Sequence, residues 1–485
     1  MRNHAQSHLL HTALITLLAL SAPCALLAQI DVVRESLPDA PRANPSSAGY
    51  VGQIAEMTAS TTCQIPSSPA DAQTSGRGPR LSLTEAEQIA IKNNPRISVS
   101  RLLVLAQHQV VRETRAARLP TATAAITAEE AEDASRVSAG SLTASRLFEH
   151  AGAGGGFTQL ITDFGRTGNL LASSRLQEKA ENASALATTE DIVIATDQAF
   201  FNALQAQALL KVAEQNVSTR QTTETQVGEL TKNKLKSTLD LSFADVNLSQ
   251  ARLLFLDAKN NVDSTMASLD AVLGLDRQVA YDLVEDNAPL QAPPQDAEQL
   301  TQLALKQRPD LQALTYGQQA AVKFSHAQRD QMLPSISAAG TAGSVPIRPA
   351  AYYTTNWWGG IGVNMNIPIF NGFLYSAQAK EAAIRARAVS EQSRDLRDRI
   401  VRDVRTAWLA ANTAFQRVAV TDELLSQANL ALTLAQTRYQ LGLSSIVELS
   451  QAQFQQTGAA IGNANAQYQY RLSLATLNYQ IGANP

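Results

Sequence analysis

The chain carries the same pattern twice, and this duplication limits its fold more than any other feature. Gln88-Ile-Ala-Ile-Lys-Asn-Asn-Pro-Arg-Ile97 returns as Gln302-Leu-Ala-Leu-Lys-Gln-Arg-Pro-Asp-Leu311, an offset of 214 residues. Leu119-Pro120 and Leu333-Pro334 keep that offset. Asp163-Phe164-Gly165 then aligns with Phe370-Asn371-Gly372, glycine on glycine, at 207. Leu235-Lys-Ser-Thr-Leu-Asp-Leu-Ser-Phe-Ala244 aligns with Leu443-Ser-Ser-Ile-Val-Glu-Leu-Ser-Gln-Ala452 at 208. Blocks in one order with so little drift define a tandem repeat, 80–290 followed by 291–485.

Each repeat has one layout. A helix is expected from about Leu83 to Ala117, and again from Ala297 to Met332. Asn94-Pro95 and Arg308-Pro309 break or kink it, because proline lacks an N–H and restricts the residue before it. Small residues follow. Trp357, Ile361, Val363, Met365 and Ile367 alternate with Trp358, Gly360, Gly362, Asn364 and Asn366, the period of a strand with one apolar face. Gly154 to Thr162 is a weaker counterpart, and Pro346, Pro349, Tyr352 and Tyr353 mark a loop between the second pair of strands.

Long helices close each repeat. Asn169 to Val227 is 59 residues without Gly or Pro, and Phe373 to Leu441 is 69. At about 1.5 Å per residue the latter reaches roughly 100 Å, beyond the need of a globular domain. Positions 401, 404, 408, 411, 415, 418, 422, 425, 429, 432, 436 and 439 step by three and four, and nine of the twelve are apolar. That predicts a coiled-coil seam. Leu248, Phe255, Lys259, Val262, Met266, Leu269 and Leu273 show the same spacing, so antiparallel hairpins are expected, turning near Gly228–Ser237 and Gly442–Ser445.

The first 28 residues read as a secretory signal: Arg2, an apolar run from Ala13 to Leu20, then small residues ending at Ala28. Residues 29–79, rich in Pro and Ser, read as a flexible extension. No later run of 18 apolar residues offers a helical membrane span. A net charge of −3 gives no basic excess for nucleic acid. Cys24 and Cys63 cannot build a disulfide framework, and His108, His150 and His326 are scattered. No HExxH, GxSxG or GxxxxGK occurs. Gly152-Ala-Gly154-Gly-Gly-Phe157 is half a dinucleotide fingerprint and fits small residues on a packed strand better. No enzyme, cofactor or metal centre is expected.

Four strands of about ten residues suit a bilayer crossing. A membrane sheet cannot leave edges, and four strands cannot close, so several copies would have to pool theirs. The sequence here resembles the TolC family of outer-membrane efflux and secretion channels, from Leu81 to the end. The duplicated Asn-Pro/Arg-Pro blocks carry the resemblance. So do Gln159-Leu-Ile-Thr-Asp-Phe-Gly-Arg166 and Tyr439-Gln-Leu-Gly-Leu-Ser-Ser-Ile-Val-Glu-Leu449 with its first-repeat partner. The resemblance implies a mainly α chain with a small membrane β part. Long antiparallel coiled-coil hairpins form an α-barrel in the periplasm, and four strands per chain enter a shared trimeric β-barrel in the outer membrane. It implies a homotrimer in outer-membrane lipid, a periplasmic adaptor (membrane fusion) protein, and an inner-membrane pump that drives passive exit through the duct.

Site residues follow from the same resemblance. Asp240 and Tyr439 would hold the periplasmic tip closed, and Glu448 would join an acidic constriction. Gln451 stands where the family has a second acid, and Ser444 where it has an arginine. Lys234, Leu235, Gly442, Leu443 and Ser444 resemble adaptor-contact turns. The aromatics Tyr352, Tyr353, Trp357 and Trp358 are expected at the outer membrane interface. The rival reading is a secreted or periplasmic coiled-coil structural or adaptor protein without a membrane barrel.

Overall fold

The computed structural model describes residues 79–129, 150–275, 281–285, 289–294, 296–344 and 357–483, all within one compact unit, Gln73–Pro485. The signal segment, the 29–78 part of the extension, and the loop with Tyr352 and Tyr353 lie outside the described residues. The chain runs β1 (Arg80–Leu81), α1 (Leu83–Asn93), α2 (Pro95–Ala116), β2 (Thr121–Glu129), β3 (His150–Thr162), α3 (Arg166–Lys232), α4 (Thr238–Leu273) and β4 (Asp282–Leu283). It continues with α5 (Ala297–Gln307), α6 (Pro309–Asp330), β5 (Ser335–Ser344), β6 (Trp357–Asn366), α7 (Leu374–Gln440) and α8 (Ile446–Ile481). No described helix is long and apolar enough to cross a membrane.

Helices α3 and α7 have 67 residues each, roughly 100 Å of helix. Neither is matched by one partner. Along α3, the tip half is covered by α4 and the other half by α2, which abut end to end. The joint between them sits at the expected proline break. Asn94 caps α2 by accepting from the Arg96 N–H at 3.0 Å, while its amide donates to the Val272 carbonyl of α4 at 2.9 Å. Gly274 ends α4 with φ +70°, and a Cβ there would lie 2.9 Å from the Asn93 oxygen, so the joint needs glycine on both counts.

The second repeat builds the same joint with different chemistry. Arg308 replaces the asparagine and donates to the side-chain oxygen of Gln480 at 2.6 Å and to its carbonyl at 3.3 Å. Its other nitrogens pair with Asp310 at 3.1 and 2.7 Å, a two-pronged charge-assisted contact. Burial alone would push the guanidinium down, but the Asp310 bond and charge outweigh it and the net shift is upward.

The helix seam differs from the sequence expectation at every second position. From residue 400 onward the buried residues of α7 are Ile400, Val404, Ala407, Ala411, Ala414, Val418, Ala428, Ala435 and Tyr439. Of the twelve expected positions, four are buried, at 404, 411, 418 and 439. Five others move back by one residue, from Val401, Trp408 and Phe415 to Ile400, Ala407 and Ala414, and from Asn429 and Gln436 to Ala428 and Ala435. Alanine wins because neighbouring backbones approach closely, and the large rings sit at the flank, half-buried. Lys259 likewise is exposed rather than in the seam.

The two strand pairs join into one antiparallel sheet in the order β2-β3-β5-β6. The contact between repeats is β3 with β5, where Phe157 lies opposite Gly340. A Cβ on Gly340 would stand 2.3 Å from the Phe157 ring, so the glycine is the seat of that ring. Strands β2 and β6 are the free edges of this sheet.

Two carboxyls on α3, two helical turns apart, face the joint helices of different repeats. Asp197 is 5% exposed, and burial followed by the charge and hydrogen bond of Glu87 raises its pKa to about 7. Glu190 also reaches about 7, through burial and then Asp310, with Arg308 opposing. The folded chain therefore holds protons that the unfolded chain, titrating near 4, has released. The stability this lends is full below about pH 4 and is lost as pH rises through about 7. Asp197→Asn cannot ionise. It is expected to be more stable than the native protein at pH 8, by on the order of 1–3 kcal/mol, to melt at a higher temperature there, and to flatten the pH dependence of Tm between 5 and 8.

Candidate functional site at the hairpin tips

The two tips are built by one recipe. Helix α3 ends with the Leu235 N–H donating to the Leu230 carbonyl at 2.8 Å, and α7 with Leu443 N–H to the Arg438 carbonyl at 2.8 Å. These six-to-one bonds require a left-handed residue just past the helix. Lys234 fills that place with φ +60° and Gly442 with φ +74°. Leu235, Leu441 and Leu443 are left exposed beside the turns.

The next helix of each hairpin starts on a serine followed three residues later by an acid. Ser237 Oγ accepts from the Leu239 N–H at 3.1 Å, and its own N–H donates to Asp240 Oδ2 at 3.3 Å, a capping box. Ser445 Oγ accepts from the Glu448 N–H at 3.4 Å. Glu448 turns its carboxylate elsewhere, to Arg438 Nε on the preceding helix at 3.1 Å. Thus the duplicated acids have a local reason to exist. The Ser-x-x-Asp/Glu pattern was legible in the sequence; Arg438 as the partner of Glu448 was not, because it comes from across the turn.

Tyr439 is 6% exposed and anchors an apolar cluster shared by both hairpins, with Val227 and Ala244 from the first and Ala435, Ile446, Leu449 and Ala452 from the second. Its hydroxyl has no hydrogen-bond partner. Burial, then the nearby Asp240 charge, pushes its pKa up. The Lys236 ammonium stands 4.5 Å from the ring centre, a cation–π contact that also sits by Asp240's end of the helix. The structure therefore brings Asp240, Lys236 and Tyr439 together without a bond between Tyr439 and Asp240. Gln451 is exposed one turn into α8 and Ser444 is half-buried in the turn. An open cleft of about 590 Å³ runs between the tips, lined in part by Glu229, Asn233, Leu235, Lys236, Tyr439 and Gly442. Lys234, Leu443 and Ser444 lie in the turns but do not line it.

At the far end of the helices, Trp357 and Trp358 begin β6 and are exposed. Beyond the other end of β6, Ile369, Phe370 and Phe373 are exposed, and the two rings meet edge to face at 5.6 Å. Phe164 occupies the corresponding strand-to-helix junction of the first repeat, also exposed. Phe164 and Phe373 both have positive φ, 53° and 65°, so each junction forces a phenylalanine into a backbone state that bulky residues rarely adopt. Two of these rings fall in the aligned Asp163-Phe164-Gly165 and Phe370-Asn371-Gly372 blocks of the sequence.

The model of the outer membrane efflux protein family matches residues 87–275 and 300–483, one segment in each repeat. The chain belongs to that family. It is thereby an outer-membrane protein of the TolC type and not an enzyme. Among curated relatives, the outer membrane efflux protein BepC of Brucella suis biovar 1 is 23% identical over 359 residues, 72% of this chain and 74% of that one. The outer membrane protein TolC of Salmonella enteritidis is 25% identical over 122 residues, a quarter of either chain. Of solved structures, CusC matches with a TM-score of 0.73 at 19% identity, covering 82% of this chain and 92% of its own. VceC of Vibrio cholerae gives 0.70 at 17%, covering 82% and 96%. These likenesses share the hairpins and the four-stranded sheet.

Tyr439 fills the shared tip cluster with its ring while its hydroxyl bonds nothing, which separates two substitutions. Tyr439→Phe is expected to leave the melting temperature within about 2 °C, since no hydrogen bond is lost. Tyr439→Ala should cost about 3–5 kcal/mol by emptying the cluster, read in the same thermal melt of purified protein in detergent.

Proposed function

We propose that three copies of this chain form a passive exit duct across the outer membrane and periplasm. The observation that carries this reading is the sheet with two open edges. In a bilayer every backbone N–H and C=O must be paired, so β6 of one copy has to meet β2 of the next until the ring closes. Unpartnered apolar faces on the helices support it. Leu239, Phe243, Val246, Leu253 and Leu256 of α4, and Val420, Leu424 and Leu434 of α7, are exposed in the single chain. A second copy would cover them along the tube. The aromatics at both ends of β6 fit the two headgroup levels of a lipid bilayer.

The hairpin tips then point into the periplasm, and their turns would receive a periplasmic adaptor linked to an inner-membrane pump. Energy would come from the pump, since the tips offer no chemistry of their own. Asp240, Tyr439 and Glu448 would line the closed tip, with Glu448 already paired to Arg438 and the constriction correspondingly less negative. The alternative of a secreted coiled-coil protein without a barrel gives way to the outer-membrane family membership.

Mass measurement of the detergent-extracted protein should give three copies, and a stable monomer would defeat the barrel reading. In planar bilayers, Tyr439→Ala, which empties the apolar tip cluster shared by the two hairpins, is expected to raise single-channel conductance. Glu448→Ala should weaken block by divalent cations while altering closure less. No change in conductance or block from either variant would leave these residues as an ordinary helix face.

A further inference from the structure

Within a hairpin the helices meet on Ala, Val and Leu. Between the hairpins, α3 and α8 meet differently. An apolar cluster at the tip, around Val227, Tyr439 and Leu449, is separated from the apolar core around Phe200 and Tyr468 by a polar stretch. In it, Gln205 donates to Asn465 at 2.7 Å and Thr457 to Asn216 at 3.3 Å. Gln453 donates to Thr223 at 3.1 Å. At its centre lies Arg220, 7% exposed, donating through Nη1 to Gln453 Oε1 at 2.6 Å and through Nε to Asn216 Oδ1 at 3.3 Å. Gln453 is itself only 3% exposed.

Among the described residues, every hydrogen-bond partner of this guanidinium is neutral. The contrast with Arg308 is within the same molecule: that buried arginine has Asp310, and its charge is held. Removing a full charge from water is expensive, and neutral amides return only part of the loss. Burial accordingly pushes Arg220 down, where Arg308 goes up. The closed seam thus contains one group that would be better solvated if the seam parted.

We propose that Arg220 is a built-in bias toward separation of the two hairpins: a guanidinium sealed in the α3–α8 seam opposite Gln453, without a counter-ion among the described residues, that regains water when the hairpins move apart. The proposal rests on the duct reading only for its use, since separation of the hairpins is what would widen the tip. The bias itself is a property of the folded chain. The apolar clusters above and below hold the seam shut, and the arginine keeps that hold shallow enough for a docking partner to reverse it.

The test uses the full-length trimer in detergent and amide hydrogen exchange over residues 213–227 and 449–460. Arg220→Met keeps the stem and drops the charge, leaving Thr457 on Asn216 and Thr223 on Gln453. Gln453→Glu instead supplies the missing carboxylate. Both are expected to slow exchange across the seam about tenfold or more. Faster or unchanged exchange in Arg220→Met makes the arginine a staple or a bystander and overturns the proposal. If that variant does not fold, Gln453→Glu decides alone: slower exchange supports the bias, unchanged or faster exchange removes it. Conductance is recorded in parallel. Slowed exchange in variants of a protein that never conducts would sink the duct and leave the bias standing.

Discussion

A helix of 67 residues has to be supported along its whole length, and that need organises the rest of the molecule. Its hydrogen bonds are internal, but its stability comes from burying one face, and each of the two long helices presents that face over roughly 100 Å. No single partner of the chain is so long. Support comes from two shorter helices set end to end, so the ends must be capped where they meet. The proline breaks, the glycines Gly274 and Gly482, and the polar side chains Asn94 and Arg308 are the parts of that joint. Asn94 works as a neutral amide and Arg308 as a charged fork with Asp310, two solutions to one geometric demand.

The tips show how a local need and a functional feature come to share residues. Asp240 and Glu448 occupy the same place in the two hairpins, three residues after the serine that caps the helix following the turn. Placed at the end of a long hairpin, the same acids carry charge to a point where copies of the chain would converge. The local structure then divides them. Asp240 keeps its bond to the Ser237 N–H, while Glu448 is drawn to Arg438. The two repeats are therefore unequal at the tip, although their backbones turn alike.

Much of this was readable before any coordinates. The repeat, the proline breaks, the helix lengths and the strand alternation of Trp357 to Ile367 are local patterns, and they led to hairpins and a sheet. Periodicity alone favoured Trp408 and Phe415 because they are large and apolar, yet Ala407 and Ala414 face the partner. How closely two backbones approach is set by every residue along the contact, so hydrophobicity at one position does not decide it. The exposed rings of Phe164, Phe370 and Phe373 depend on tertiary structure in a related way. Phe164 stands at the strand-to-helix junction of the first repeat and Phe370 and Phe373 at that of the second, so their likeness of place shows only once the strands are laid out.

What the sequence by itself determined is whatever depends on short-range order: where helices begin and break, which turns take a left-handed residue, which strands alternate, and that all of it occurs twice. The tertiary structure alone decided which surfaces meet. It joined the two strand pairs through β3 and β5, left β2 and β6 as edges, set Arg438 on Glu448, and sealed Arg220 against Gln453 from a helix 233 residues away. Nothing in the composition around Arg220 distinguishes it from a solvated helical arginine. Burial is a property of the neighbours that arrive, and a charge shows its cost only once they have excluded the water.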